Sequence, residues 1–312
     1  MSDKEQEAIK RLQLAAKMSE RYYKKPLLIC YSGGKDSEVI LALAKRAEIP
    51  FEVQHSHTTA DAPETVYHVR DTFERLENEG IKVEIIKPTY QGKRISMWRL
   101  IPLKGMPPTR LFRYCCAVLK ETAGKGRAIV TGVRSGESFK RSNRKYAETI
   151  APKLTNRIKL DFENAAELFD NPDGRSFVEH DEKFIAHCKV QGETAFNPII
   201  NWSDHDIWDY IESECLNLNP FYKKYGMVRC GCIGCPIAGK NRYKEFALFP
   251  KFKNMYMMAF HNMLLALKAK GKPTKWHDAQ EVFDWWMESD TIPGQITLED
   301  WVKEHANHED NA

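Results

Sequence analysis

The sequence predicts an α/β fold, a doubly wound parallel sheet followed by a helical C-terminal part. Three observations carry that expectation. Short apolar runs alternate with amphipathic helical stretches from residue 27 to residue 134, the order that builds a parallel sheet covered on both faces. The first of those runs leads straight into Ser32-Gly33-Gly34-Lys35-Asp36-Ser37, a strand–turn–helix junction. From Arg242 onward, aromatic and methionine residues recur at helical spacing, which reads as helices burying those rings in a core of their own.

Taken in order, residues 1–24 read as a polar amphipathic helix with acids near its start. They lack the basic start and continuous apolar stretch of a signal peptide. No apolar run approaches the ~20 residues needed to cross a bilayer, so a cytoplasmic protein that does not contact the membrane is expected. Leu27–Tyr31 is the first strand and Asp36–Arg46 the helix after it. "FEVQHSH" (51–57) alternates as a strand does, residues 62–80 are helical and stop at Gly80, and 82–88 form a third strand. A basic loop leads to a short helix at "CCAVLKETA", and 128–134 form a fourth strand. Residues 135–195 are polar and show no periodicity that orders them. "NWSDHDIWDYIE" (201–212) opens a helix, with Ser203 as cap, Asp206 three residues on, and Trp202 and Ile207 as the hydrophobic staple. The expected domains are an N-terminal helix (1–24), a nucleotide-binding domain carrying the cysteines (25–240) and a helical C-terminal part (241–312).

Net charge is only +4, but it is unevenly distributed. Residues 82–145 carry 16 Lys and Arg against Glu84, Glu121 and Glu137, and residues 220–255 carry eight against Glu245. Two segments of net +13 and +7 in a nearly neutral chain point to an anionic partner. Both also hold the clustered cysteines: Cys115 and Cys116 in the first, Cys230, Cys232 and Cys235 in the second. Cys30, Cys188 and Cys215 stand apart and read as core residues.

A strand, two glycines and a helix start bring backbone N–H groups and the positive helix end to one point, which is a phosphate cradle. Glycine lets backbone approach a ligand closely, Lys35 adds charge, and Ser32 and Ser37 add hydroxyls. The spacing is not that of a Walker A loop, since Ile29 stands where its first glycine would be, and no G-x-G-x-x-G is present. The string Ser32–Ser37 resembles the PP-loop of the ATP pyrophosphatase superfamily, whose fold is Rossmann-like and adenine nucleotide α-hydrolase-like. That resemblance implies binding of the β,γ-diphosphate of ATP, attack at the α-phosphate and release of pyrophosphate. In relatives that use a sulfonucleotide, the same loop holds its phosphates.

A narrower resemblance, from about residue 25 to 240, is to the phosphoadenylyl sulfate (PAPS) reductase-like family. "HTTADAPETVYHVRD" is similar to the segment after that family's second strand, which implies that Thr59, Asp61 and Glu64 lie near the nucleotide. "TGVRSGESFKR" resembles the family's G-x-R-x-x-E-S-x-x-R stretch. Gly132, Arg134, Glu137 and Arg141 then belong to the nucleotide site, with the arginines clamping phosphate, Glu137 orienting one of them, and Lys35 and Arg134 as the catalytic pair. "NPFYKKYG" (219–226) resembles the turn that follows.

Cys115-Cys116 and, after a long gap, Cys232-Ile-Gly-Cys235 resemble the 4Fe–4S pattern of adenylyl sulfate reductases and related ATP pyrophosphatases. Four thiolates suit an iron–sulfur cluster, with Zn²⁺ as the alternative. Cys230 is a spare ligand or a sulfur-carrying thiol. The chain departs from the reductases in lacking a cysteine after Cys235, where they carry a C-terminal catalytic thiol. The expected function is therefore ATP pyrophosphatase chemistry serving sulfur transfer to a nucleic acid, by DNA phosphorothioation or tRNA thiolation. A cysteine desulfurase is the expected sulfur source. Mg²⁺ is expected on the triphosphate, with Asp36 as its candidate ligand. A sulfonucleotide reductase using Cys230 and a non-catalytic nucleotide or nucleic-acid binding module are the alternatives.

Overall fold

The computed structural model describes residues 2–121, 124–150, 158–170, 179–190 and 192–288. The part of the predicted helical region beyond Glu288 lies outside them.

Helix α1 (Asp3–Met18) starts at Ser2, whose hydroxyl accepts the Glu5 N–H, and a single π-helical turn, Ser19–Tyr23, ends it. Strand β1 (Leu27–Cys30), α2 (Lys35–Arg46), β2 (Phe51–Ser56), α3 (Pro63–Asn78) and β3 (Val83–Ile86) follow in strict alternation. A short hairpin, β4 (Thr89–Tyr90) and β5 (Lys93–Arg94), leads to α4 (Met97–Lys104) and α5 (Tyr114–Leu119). Then come β6 (Ala128–Val130), α6 (Phe139–Ser142), β7 (Ala147–Ile150), β8 (Lys159–Leu160), α7 (Phe162–Asp170), α8 (Glu179–Lys189) and β9 (Glu193–Phe196). Helices α9 (Asp204–Ser213), α10 (Pro220–Tyr225), α11 (Asn241–Leu248), α12 (Pro250–Ala269) and α13 (Ala279–Glu288) complete the described chain.

The main sheet has the order β3-β2-β1-β6-β9-β7-β8. Its first five strands are parallel, while β7 runs antiparallel to both β9 and β8. Strand β6 is buried throughout and β1 almost so, which is why they read as continuous apolar runs in sequence. The reversed edge is built from the span in which the sequence showed no order. There β7, β8 and β9 are only two to four residues long, too short for an alternation to register.

The chain forms two compact units, each assembled from separate segments. The first takes the described residues of Met1–His57, Asp61–Pro88 and Lys120–Gly231, and thus the whole main sheet. The second takes Thr58–Ala60, Thr89–Leu119 and the described residues from Cys232 onward.

In the first unit, Ser203 and Asp206 form the reciprocal cap expected of α9: Asp206 N donates to Ser203 Oγ at 3.1 Å and Ser203 N to Asp206 Oδ2 at 2.7 Å. Cys188 is buried and Cys30 half-buried, but Cys215 is exposed. It lies just past α9 with φ +49°, where the chain turns outward, so the core assignment for Cys215 is corrected.

In the second unit, the aromatic residues do build a separate core, and Trp286 is its centre. Its ring lies 4.7 Å from Tyr256, 5.3 Å from Phe260 and 6.0 Å from Phe283. The Trp286 indole N–H donates to the Pro108 carbonyl at 2.7 Å, and its own carbonyl accepts from Arg242 Nη1 at 2.8 Å. Replacing Trp286 with Ala removes a fully buried ring and leaves the Pro108 carbonyl without its indole donor, an expected cost of about 3–5 kcal/mol. Urea unfolding followed by tryptophan fluorescence and circular dichroism measures it; an unchanged transition would refute this account of the core.

Candidate nucleotide site and cysteine cluster

The loop between β1 and α2 lies at the carboxyl edge of the sheet, where doubly wound folds take their ligands. Gly33 has φ +73°, a conformation that a side chain resists. Ser37 fastens the turn: its hydroxyl donates to the Gly34 carbonyl at 2.7 Å and accepts the Gly34 N–H at 3.2 Å. Ser32 Oγ donates to Ser37 Oγ at 3.1 Å. The Lys35 N–H donates to the Tyr222 hydroxyl at 3.0 Å. Asn219 braces the loop from behind, its Nδ2 donating to the Gly33 carbonyl at 3.0 Å.

Four charged side chains converge beside this loop. Lys35 Nζ lies 3.2 Å from Asp36 Oδ2 and 3.1 Å from Asp204 Oδ1. Arg134 Nε lies 2.7 Å from Asp36 Oδ1, and its Nη2 lies 2.7 Å from Asp204 Oδ1. The third Arg134 donor, Nη1, reaches the Trp202 carbonyl at 3.3 Å. Burial alone would raise the Asp204 carboxyl, but Lys35 and Arg134 outweigh it and hold the group below the usual carboxylate range. Burial would likewise lower Arg134, and Asp36 and Asp204 reverse that. Gly132 allows the close approach: a Cβ there would sit 3.0 Å from Asp36 Cβ and 3.2 Å from its backbone carbon and oxygen.

The structure therefore gathers Ser32, Gly33, Gly34, Lys35, Asp36, Ser37, Gly132 and Arg134 in the first unit. The guanidinium of Arg134 is directed at protein groups, so it holds α2 and the start of α9 together. Both Asp36 oxygens face protein cations, Oδ2 the Lys35 ammonium and Oδ1 the Arg134 guanidinium. Glu137 accepts from the Arg134 backbone N–H at 3.0 Å and pairs with Arg141, which is half-buried. Asp61 is buried beside His57. Glu64, at the start of α3, is pushed up by burial and pulled lower by Lys224 and Tyr225, with which it bonds. Thr59 falls in the second unit, with φ +65° and a hydroxyl that accepts the Met97 N–H at 2.9 Å.

Sequence reasoning missed Asp204, Asn219 and Tyr222. The signal for Asn219 was present: an Asn before Pro220 is a helix cap, and its Oδ1 does accept the Phe221 N–H at 3.0 Å. Nothing local in the sequence pairs Asp204 with Lys35, 169 positions earlier.

The cysteines divide between the units. Cys115, Cys116, Cys232 and Cys235 all belong to the second. Cys115 is a free thiol hydrogen-bonded to Cys116, and that hydrogen bond, burial and the nearby Cys116, Cys232 and Cys235 sulfurs together push its thiol far up. In the C-x-x-C turn, Cys235 N donates to Cys232 O at 3.2 Å, and Gly234 takes φ +74° with its N–H given to Glu245 at 2.7 Å. Cys230 belongs to the first unit and lies against the phosphate loop. Its sulfur is 3.3 Å from Asn219 Nδ2 and 3.2 Å from Thr65 Oγ1, and its Cβ would be 3.8 Å from a Cβ at Gly34.

Gly132→Val should displace Asp36 and with it the Arg134 bridge, because the clash is partly with backbone that cannot rotate away. The expected result is nucleotide affinity at least tenfold weaker with the sheet intact, by isothermal titration and circular dichroism. Wild-type affinity would show that the close approach is dispensable.

Residues 26–238 match the model of the phosphoadenosine phosphosulfate reductase domain. An uncharacterised protein of Methanocaldococcus jannaschii is 27% identical over 249 residues, covering 77% of this chain and 47% of that protein. The sulfate adenylyltransferase subunit 2 of Mycolicibacterium gilvum is 29% identical over 205 residues, covering 64% of this chain and 58% of that protein. The chain thus spans about half the length of the curated relatives it matches. Among solved structures, the PAPS reductase of Candida auris in its phosphate complex aligns with a TM-score of 0.38 at 18% identity, over 66% of this chain and 80% of that one. The U34-tRNA thiolase NcsA of Methanococcus maripaludis, with its 4Fe–4S cluster, aligns with a TM-score of 0.39 at 11% identity, over 85% of this chain and 80% of that one. The span matched by the family model runs from the residue before β1 to just past the C-x-x-C turn and takes in more than half of the chain, so this protein belongs to the phosphoadenosine phosphosulfate reductase domain family.

Proposed function

We propose that the chain is an ATP pyrophosphatase that adenylates an acceptor so that sulfur can replace an acceptor oxygen, the acceptor being a nucleic acid. The observation that carries this reading is the loop Ser32–Ser37 at the carboxyl edge of the sheet, with the Lys35 ammonium held beside it by Asp36 and Asp204. An acceptor oxygen attacks the α-phosphorus of ATP, the bond to the bridging oxygen breaks, and pyrophosphate leaves. Lys35 and the loop amides stabilise the charge that develops on that leaving group. AMP then departs with the acceptor oxygen when a sulfur nucleophile displaces it. The adenylyl transfer named in the M. gilvum relative accords with the first step. The two basic segments supply the attraction for a polyanion.

Cys115, Cys116, Cys232 and Cys235 suit a metal centre chemically, because a group of neighbouring thiols loses its protons only when a cation takes their place. Four thiolates suit a 4Fe–4S cluster, with Zn²⁺ as the alternative. Such a cluster would supply a site able to hold or exchange sulfide.

A second reading, sulfonucleotide reduction, is favoured by one observation: the Cys230 thiol stands beside Gly34, where it could meet the sulfur of a bound sulfonucleotide. The two readings separate by product. Wild-type protein incubated anaerobically with Mg-ATP and nucleic acid should yield AMP and pyrophosphate. Lys35→Ala should lower that rate by about 10²–10³-fold. No ATP cleavage, with sulfite released from a sulfonucleotide, would establish the second reading instead.

Cys235→Ser should abolish most bound iron and its broad visible absorption in anaerobically purified protein, whereas Cys230→Ser should leave both unchanged. Iron retained in the first variant or lost in the second would overturn the ligand assignment.

A further inference from the structure

His55 lies near the end of strand β2 and His57 is the first residue past it, and the chain returns with Asp61 just before α3. One ligating atom from each of the three lies within 4.8 Å of the other two. His55 and Asp61 are buried, and His57 keeps 32% of its side chain exposed, so the group is enclosed yet reachable. His55 Nδ1 lies 2.9 Å from the carbonyl oxygen of Tyr31. A carbonyl can only accept, so Nδ1 carries the proton and Nε2 keeps its lone pair. Backbone carbonyls fix the tautomer of metal-ligating histidines in this way. His57 Nδ1 and Asp61 Oδ2 are 3.4 Å apart, long for a hydrogen bond. That spacing is close to the edge of about 3.4 Å between two ligands bonded at ~2.0–2.1 Å to one tetrahedral ion.

We propose that His55, His57 and Asp61 form a binding site for a divalent transition-metal ion of zinc's class, separate from the cysteine group. Two imidazoles and one carboxylate select such an ion, because Mg²⁺ and Ca²⁺ take oxygen ligands. Burial disfavours positive charge at His55, and the Asp61 carboxylate offsets that only in part. Three protein ligands leave a fourth position for water or an anionic oxygen, the pattern of a working site and not of a closed structural one. Tyr31, which orients His55, is the residue immediately before Ser32. The metal is thereby tied through one hydrogen bond to the strand that leads into the phosphate loop. The inference stands whether or not the chain cleaves ATP.

Cobalt(II), added anaerobically to the chelator-treated full chain, is the probe. Thiolate ligands give cobalt an intense near-ultraviolet sulfur-to-metal band, while imidazole and carboxylate ligands give only the weaker visible bands. One cobalt of the second kind per chain is expected, in the wild type and in Cys232→Ser alike. His57→Ala and Asp61→Asn should each weaken its binding by about tenfold or more. His57 is part exposed and Asn preserves the shape of Asp61, so both variants should keep the wild-type circular dichroism spectrum. Cobalt bound only in the thiolate manner, no cobalt bound at all, or wild-type affinity in Asp61→Asn would each overturn the proposal.

Discussion

Lys35 and Arg134 are cations with about nine-tenths or more of each side chain buried, and the same two carboxylates, Asp36 and Asp204, hold both. Taking charge out of water costs several kcal/mol per ion unless partners restore the lost hydration. Here every charge has a partner of opposite sign on two sides, and the group is neutral in sum. Such an arrangement adds little net stability, but removing a carboxylate is severe, because it leaves the buried Lys35 and Arg134 short of a partner. What the arrangement does fix is place. Asp36 opens α2, Asp204 opens α9 and Arg134 follows β6, so three elements distant in sequence are pinned at the end of the sheet where the phosphate loop emerges.

Asn219 does for the neutral groups what Arg134 does for the charged ones. Its carbonyl caps α10, while its amide reaches the Gly33 carbonyl, Thr65 and the Cys230 sulfur. It is fully buried, so those bonds face no competition from water. The loop is thereby held in a conformation that Gly33 alone would leave open to many alternatives. A preorganised cradle is what charge stabilisation demands, since dipoles already aimed at the phosphates need not reorganise as the reaction proceeds.

The core of the fold was legible because it is periodic. Strands β1, β2 and β3 and helices α2 and α3 follow one another with the alternation of a parallel sheet, and the loop sits at the first junction. The reversed edge was not legible, because β7 and β8 are too short to show a pattern; β7 is recruited by pairing with β9, and β8 by pairing with β7. The loop string named Lys35 and Asp36 as site residues, but not Asp204, whose sequence role as the first residue of a capped helix hides its second partnership. His55 and His57 read as ordinary positions of an alternating strand. Only the return of the chain at Asp61 brings a third ligand to them.

Spacing also suggested one cysteine group where the structure has two environments. C-x-C-x-x-C invites a reading in which Cys230, Cys232 and Cys235 share one centre. Gly231 is instead the last residue of one unit and Cys232 the first of a segment of the other. Cys230 is therefore surrounded by Asn219, Thr65 and the loop, among neutral hydrogen-bonding groups. Cys115 is surrounded by sulfur. A thiol among neutral donors and acceptors remains a single nucleophile whose reactivity is set by its own ionisation. Thiols that crowd one another raise the cost of each further negative charge, and a cation removes that cost. The same residue type thus has two chemistries because the fold supplies different neighbours.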